Sequence, residues 1–401
     1  MRQMILAVLA ILVLNPGLVQ AADSAAPVQK LPAINVEGVV DIPTLPNVLH
    51  DYVHLVYVVY KDTLIDGVTL QERVNALLES PSEETLKAAR QAWLDSRESY
   101  GQTEAFRFYE GPIDFYDEEN DVEGPEGRLN SWPLNEAYID YVAGNPKAGL
   151  INDPSVQISV DALIERNQKD DEVDVATGYH AIEFLLWGQD LSLETAGTRP
   201  ASDFVAGSES NDRRRVYLKA VTDLLVQDLE FLVDQWAPGK DGYRVKFGAK
   251  GRSALGDVIS ALATLSGFEM AAERMATALD SGDQEDEHSC FSDNTHNDFI
   301  FNMKGITNIY FGNYDGIAVP SLHGLLSLIN PELAAKIEVQ IYDAEDKIEA
   351  LPTPIDREVL ATPADSPARE KMEAAIESLQ TLSALFKETG PALKLEVEIV
   401  Q

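Results

Sequence analysis

Hydrophobic residues recur with helical spacing over most of this chain. Leu49, Val53 and Val56 share one face of a predicted helix that runs to about residue 64, and a second, short helix is predicted over 70–78. Strand-like alternation is sparse. The pattern therefore predicts an all-α fold.

Helix boundary signals divide the chain further. The segment Ser80-Pro81-Ser82-Glu83 predicts a capping box that opens a long amphipathic helix through Trp93 and Glu104. A buried helix is predicted over 178–187, because apolar side chains surround it nearly completely. Three other proline or glycine signals predict two helix starts and the last helix end: Asn330-Pro331, Ser366-Pro367 and Gly390.

A polar segment over 192–212 marks the best candidate boundary between two halves of the chain. The sequence predicts two helical bundles of similar size, 46–195 and 196–401. Residues 22–45 have little periodicity and several prolines, which is typical of a tether.

The first 21 residues predict a cleaved signal peptide. A positive start at Arg2 precedes an apolar run over 4–14, which is too short for an ordinary membrane span. Val19 and Ala21 supply the small residues that signal peptidase recognises, so cleavage is expected after Ala21. We therefore expect an exported protein: free in a periplasm, attached to an outer membrane, or secreted.

Charge and cysteine content exclude several classes of function. The chain has 401 residues with 31 Lys and Arg against 67 Asp and Glu, a formal net charge of −36. This balance argues against a nucleic-acid partner, because phosphate binding requires a basic surface. Cys290 is the sole cysteine, so neither an intramolecular disulfide nor a cysteine-rich zinc site can form.

The segment GYHAIEFLLWGQD, residues 178–190, holds the strongest candidate chemistry. His180 and Glu183 are three positions apart, so a helix presents their imidazole and carboxylate on one face. A borderline or hard cation accepts such a mixed pair of ligands. The alternative is a structural histidine–glutamate hydrogen bond in a helical core.

Known local metal motifs are incomplete in this sequence. It contains no H-E-x-x-H, and Phe184 occupies the place where the inverted zinc motif has its second histidine. The di-iron pattern Glu-x-x-His occurs once, over 285–288, in a polar loop. Further ligands must therefore come from distant positions.

Several distant side chains are candidates for that role. Glu104 is the best remote carboxylate ligand, because it shares a helix face with Arg97 and Tyr100. The string 286–298 is dense in oxygen and nitrogen donors, although it would equally suit a polar loop that caps the next helix. The expected supporting or cleft residues are Arg97, Tyr100, Glu269, Asp293, His296 and Asp298.

At the 178–190 segment the chain resembles the imelysin family, whose hallmark is G-x-H-x-x-E. Further landmarks follow in family order from about residue 45 to about residue 325. They are Ala92-Trp93 with Arg97, Tyr100, Glu104, Phe106, Arg107 and 111–114; Trp132-Pro133 with Asp140-Tyr141; Arg199-Pro200 with Asp203-Phe204; Arg214-Arg215 with Tyr217-Leu218; and 288–298 with Gly305-Ile306. The subgroup most resembled is the iron-regulated, exported bacterial one.

The resemblance implies two helical bundles packed side by side, with a cleft between them that holds His180 and Glu183. It implies a role in bacterial iron uptake or iron regulation. Combined with the candidate ligands, it gives the first hypothesis, an iron or zinc ion bound by His180, Glu183 and Glu104. Expected partners are a metal ion or metal complex and uptake proteins of the outer membrane or periplasm. Because some family members have been classed as metallopeptidases, a zinc peptidase centred on His180 and Glu183 is one alternative; an interaction protein with a structural His–Glu pair is another.

Overall fold

The computed structural model describes residues 45–399 except 121 and 193. The predicted signal peptide and nearly all of the tether lie outside the described residues. The helices are α1 (Leu45–Glu79), α2 (Glu83–Thr103), α3 (Glu126–Leu129), α4 (Glu136–Ile139), α5 (Val160–Ile164), α6 (Gly178–Trp187), α7 (Glu209–Trp236), α8 (Tyr243–Ala249), α9 (Arg252–Thr264), α10 (Thr277–Ser281), α11 (Thr295–Phe311), α12 (Leu322–Ile329), α13 (Pro331–Glu349) and α14 (Pro367–Leu393). The all-α prediction is confirmed.

Shorter elements complete the described chain. Two antiparallel hairpins have strands of two residues each, β1 (Tyr116–Asp117) with β2 (Val122–Glu123) and β3 (Asn313–Tyr314) with β4 (Ile317–Ala318). Turns of 3₁₀ helix cover Glu104–Phe106, Ala201–Phe204 and Gln284–Asp286, and π-helical segments cover Leu265–Ala276 and Asp356–Leu360.

The prediction of two separate helices before residue 80 is wrong, because α1 is continuous from Leu45 to Glu79. Gly67 lies inside it and does not end it. A Cβ at Gly67 would come within 2.7 Å of Leu229 Cδ1. The glycine therefore permits α1 and α7 to pack closely, and that contact outweighs its weak helix propensity.

The start of α2 is shifted from its prediction. Ser82 is the N-cap and exchanges hydrogen bonds with Thr85, so the capping box lies two residues later than the sequence suggested. The predicted starts of α13 and α14, each with proline in the first turn, are confirmed. The predicted end at Gly390 is wrong: α14 continues to Leu393 with Pro391 inside it.

Two sets of helices surround the buried apolar side chains. The first contains α1, α2, α6 and α7; in the second, α14 packs on α9, α13 and the π-helical segment 265–276. Helix α11 packs on α13 and on the π-helical segment of the second set, and its contact with α2 joins the two sets. The boundary near residue 195 stays a prediction, and α7, which follows it in the chain, packs against α1.

The helical run from Arg252 to Ser281 is long and apolar enough, by length and composition, to cross a membrane. In this fold, 78% of its most apolar window is buried. Its π-helical part packs against α14. Core helices pass the same composition test, so this feature is weak evidence for a membrane span.

Candidate functional site

Helix α6 carries His180 and Glu183 through the protein interior, and every residue of it is buried. Its bounds agree with the prediction. The first residue, Gly178, has φ +88°, and a Cβ there would lie 2.6 Å from the Leu129 carbonyl oxygen. The glycine of the motif therefore allows the chain to turn into α6 directly against the backbone near α3.

His180 and Glu183 form a closely held pair. His180 Nδ1 lies 2.9 Å from Glu183 Oε2, and the two residues are 2% and 0% exposed. The other Glu183 oxygen, Oε1, accepts hydrogen bonds from the Ser292 amide at 2.9 Å and the Ser292 hydroxyl at 2.7 Å. His180 Nε2 is buried and has no hydrogen-bond partner among the described residues.

The electrostatics favour the uncharged form of both groups. Burial raises the pKa of Glu183 to about 8, although the hydrogen bonds from Ser292 work in the other direction. Burial lowers the pKa of His180 well below its usual value, and the neighbouring His288 adds to this effect. A neutral imidazole is the form that binds a metal. While Glu183 is protonated, its Oε2 donates to His180 Nδ1 and the ring proton lies on Nε2. Nε2 can therefore bind an ion once Glu183 releases its proton and accepts from Nδ1.

A second imidazole, His288, lies beside the first. The ring centroids of His180 and His288 are 4.6 Å apart, and the rings are inclined at 69°. His288 Nδ1 is 2.8 Å from Asp298 Oδ2, and Nε2 is 3.3 Å from the Asn130 amide nitrogen. Burial lowers the pKa of His288 to about 4; the positive charge of Arg274 contributes, against the opposing effect of Asp298.

His288 lies in the donor-rich string 286–298, and that string is the sequence signal for it. The residues predicted from the string are Asp293, His296 and Asp298, and His288 is not among them. No local pattern distinguishes these residues, because His288 and His180 are far apart in the chain and meet only through packing.

Arg97 and Asp298 connect α2 with α11 at the edge of this pair. Arg97 Nε and Nη2 each lie 3.1 Å from an oxygen of the Asp298 carboxylate, and both side chains are buried. Burial would raise the pKa of Asp298, but Arg97 and His288 hold it well below its usual range. Tyr100 is also buried, and its ring centroid lies 4.7 Å from that of Tyr179 on α6.

Glu104 belongs to the same buried network, but two arginines hold it. Its Oε2 lies 2.7 Å from both Arg107 Nη1 and Arg274 Nη2, while Oε1 accepts a 3.3 Å hydrogen bond from Asn130. Burial would raise the pKa of Glu104, yet the two arginines lower it to about 2. Glu269 joins the network through Arg274 at 2.7 Å.

The π-helical segment 265–276 explains the Glu269–Arg274 contact. The two residues are five positions apart, a spacing that the wider turn of a π helix brings to one face. Arg274 also donates to Asn302 on α11 at 2.6 Å. The segment thereby supplies charged groups from the second set of helices to the site.

Two predicted supporting residues face other neighbours. His296 Nε2 lies 2.8 Å from the Ile348 carbonyl oxygen at the end of α13. Asp293 forms an ion pair with Arg357. Neither contact involves His180 or Glu183.

Within the described part of the chain, potential ligand atoms of His180 and Glu183 do not lie within 4.8 Å of one another together with those of Glu104, nor together with those of His288. The roles assigned to these residues from sequence stay predictions.

Comparison with known proteins identifies the family. The family model for imelysin, peptidase M75, matches residues 56–386, which is most of the chain. The chain belongs to the imelysin family. The resemblance found in the sequence motifs is thereby confirmed.

One sequence relative of this imelysin-family chain and one solved structure with a similar fold carry names that refer to iron. Iron-regulated protein A of Synechococcus elongatus is 27% identical over 341 residues, 82% of this chain and 80% of the relative. A crystal structure from Parabacteroides distasonis, described as a "putative iron-regulated protein A precursor", superposes with a TM-score of 0.66 and 22% identity. The match covers 89% of this chain and 98% of that one, and it supports the shared fold.

Proposed function

We propose that this imelysin-family protein binds a metal ion at a centre built on His180 and Glu183, and that the protein takes part in iron uptake or iron regulation. One observation carries the proposal. His180 Nε2 is buried without a hydrogen-bond partner among the described residues. Burying an unpaired polar atom is unfavourable, and a metal ion would supply the missing partner.

His288 is the additional ligand that we propose. Both rings have Nδ1 close to a carboxylate, Glu183 for His180 and Asp298 for His288. In metal sites such a hydrogen bond orients the imidazole and directs Nε2 to the ion. Nε2 of His180 has no hydrogen-bond partner among the described residues, whereas Nε2 of His288 would exchange its 3.3 Å contact with the Asn130 amide nitrogen for the ion. Asp298 would then accept a hydrogen bond from His288 Nδ1 and orient that ring. Glu183, after losing its proton, would either orient His180 in the same way or bind the ion directly.

The donor set suits iron or zinc. Imidazole nitrogen and carboxylate oxygen together favour borderline cations, and Fe³⁺ favours the carboxylate. The names of the sequence relative and of the similar structure support iron. We further propose that the protein is exported, in the periplasm or at the outer membrane, where uptake proteins would be its partners.

The test is metal content after exhaustive dialysis against Fe³⁺ and, separately, Zn²⁺. The parent would be compared with His180→Ala, Glu183→Ala and His288→Ala variants that circular dichroism shows to be folded. We expect about one ion per chain in the parent and loss of that ion in each variant. His54→Ala is the matched control, because His54 is exposed on α1 and should keep the ion.

The same variants separate the alternatives. Equal metal in parent and His180→Ala protein, with reduced stability of the variant, would contradict the proposal and show a structural His–Glu pair. Proteolysis that requires both Glu183 and zinc would favour a metallopeptidase. The near-complete burial of His180 and Glu183 argues against it, because a polypeptide substrate must reach a catalytic metal.

A further inference from the structure

Three aspartates from distant parts of the chain meet outside the His180 centre. Asp190 follows α6, Asp293 precedes α11, and Asp356 opens the π-helical segment 356–360. One carboxylate oxygen from each lies within 4.8 Å of the oxygens of the other two. The fold thus assembles an all-oxygen site.

Two of these carboxylates are buried, Asp293 is partly exposed, and all three are poorly satisfied. Asp190 is 3% exposed and Asp356 is 6% exposed. Both oxygens of Asp356, Oδ2 of Asp190 and Oδ1 of Asp293 lack a hydrogen-bond partner among the described residues. Whichever Asp356 oxygen enters the cluster is therefore without a hydrogen bond. Buried carboxylates are normally hydrogen-bonded, so these unpaired oxygens are available to a cation.

Arg357 balances only part of the charge. Its Nη2 forms an ion pair with Asp293, and its Nη1 lies 3.6 Å from Asp356 Oδ2. One guanidinium group against three carboxylates leaves two negative charges. Glu287, also buried, has an oxygen without a hydrogen-bond partner and interacts electrostatically with all three aspartates. A divalent cation would supply the charge that Arg357 does not.

The donor set indicates the class of ion. Each aspartate places a carboxylate oxygen within 4.8 Å of the other two, so three protein carboxylates can reach one ion. Calcium is commonly held by several protein oxygens at about 2.3–2.6 Å, whereas magnesium keeps several waters and is usually bound by only one or two carboxylates. We propose that Asp190, Asp293 and Asp356 bind a divalent cation of the calcium class.

This cation would stabilise the loop that carries part of the His180 centre. Asp293 directly follows Ser292, whose amide and hydroxyl both bind Glu183. Asp190 follows the helix that carries His180 and Glu183. The ion would fasten the loop to the end of α6 and to the 356–360 segment.

Calcium titration of the chelator-treated full chain, followed by calorimetry and by the melting temperature, tests the proposal. We expect one Ca²⁺ per chain and a rise in melting temperature. Asp356→Asn and Asp190→Asn should weaken binding about tenfold or more and abolish that rise, because each removes a charged ligand. Both should fold, since each substitution relieves repulsion between buried carboxylates.

Two controls distinguish this site from general acidity and from the His180 centre. Asp95→Asn alters an exposed residue in another acidic pocket, lined also by Asp62, Asp66 and Glu98, and should bind Ca²⁺ like the parent. His180→Ala should also retain Ca²⁺. No Ca²⁺ binding by the parent, binding unchanged in both aspartate variants, or tighter binding of Mg²⁺ would overturn the proposal. The first two outcomes would make Arg357 the sole counter-ion.

Discussion

At the residue scale, the Glu183 carboxyl keeps its proton near neutral pH because it is fully buried. Its pKa is about 8 in the folded protein, against 4.5 for an ordinary glutamate. A raised carboxyl pKa means that the folded state holds a proton which the unfolded chain has released. Stability from this group is therefore complete below pH 4.5 and is lost as pH rises through 8.

We expect the free energy of unfolding of the metal-free protein to fall by about 2 kcal/mol more in the parent than in Glu183→Gln between pH 6.5 and 8. The glutamine keeps the shape and can still bond His180 and Ser292, but it does not titrate. Urea denaturation in the presence of a chelator measures the difference. The range from pH 6.5 to 8 avoids acidic pH, where protonation of the buried His288 also destabilises the fold. Parallel pH profiles would contradict the buried, protonated state of Glu183.

At the element scale, Gly178 decides where α6 begins and hence where His180 and Glu183 point. It combines a positive φ with backbone contact to Leu129. The glycine of G-x-H-x-x-E is thus needed for the backbone conformation at the start of α6, whereas the histidine and the glutamate supply the chemical groups.

We expect Gly178→Ala to destabilise the protein by about 3 kcal/mol or more and to reduce bound metal, since strain and a collision with backbone add together. Gly144→Ala is the matched control, because Gly144 has φ +80° with open space around its missing Cβ. It should lose only about 1–2 kcal/mol and keep the metal. Urea denaturation and metal analysis measure both effects. Equal losses in the two variants would show that the contact with Leu129 is unimportant.

At the scale of the whole molecule, close contact between α2 and α11 joins the two sets of helices. A Cβ at Gly305 would lie 2.5 Å from the Gln102 carbonyl oxygen, and one at Gly101 would lie 2.7 Å from Phe301 Cβ. The same two helices carry Arg97 and Asp298, the buried ion pair beside His288. Separating them would therefore disturb the site.

We expect Gly305→Ala to cost about 1–3 kcal/mol of stability and to weaken metal binding, because overpacking forces α2 and α11 apart. Gly248→Ala, in α8 with no atom within 4 Å of its added Cβ, should be neutral or stabilising by up to about 1 kcal/mol. Denaturant unfolding and metal content provide the measurements. Wild-type stability of Gly305→Ala would show that the helix contact tolerates a methyl group.

The sequence by itself determined the helical class, the bounds of α6, the pairing of His180 with Glu183 and the family. These depend on local rules, since helical periodicity and an i, i+3 hydrogen bond involve residues within one turn. The break predicted between residues 64 and 70 and the helix end predicted at Gly390 were both wrong. At Gly67, inside that predicted break, the close packing of α1 on α7 outweighs the weak helix propensity of glycine.

Only the tertiary structure decided which distant groups surround the motif. Arg97 and Asp298 are 201 positions apart, and their contact exists because α2 packs against α11. The same is true of His288 beside His180 and of the cluster Asp190, Asp293 and Asp356. Partners of this kind depend on how helices pack, and no periodicity within one helix encodes that choice.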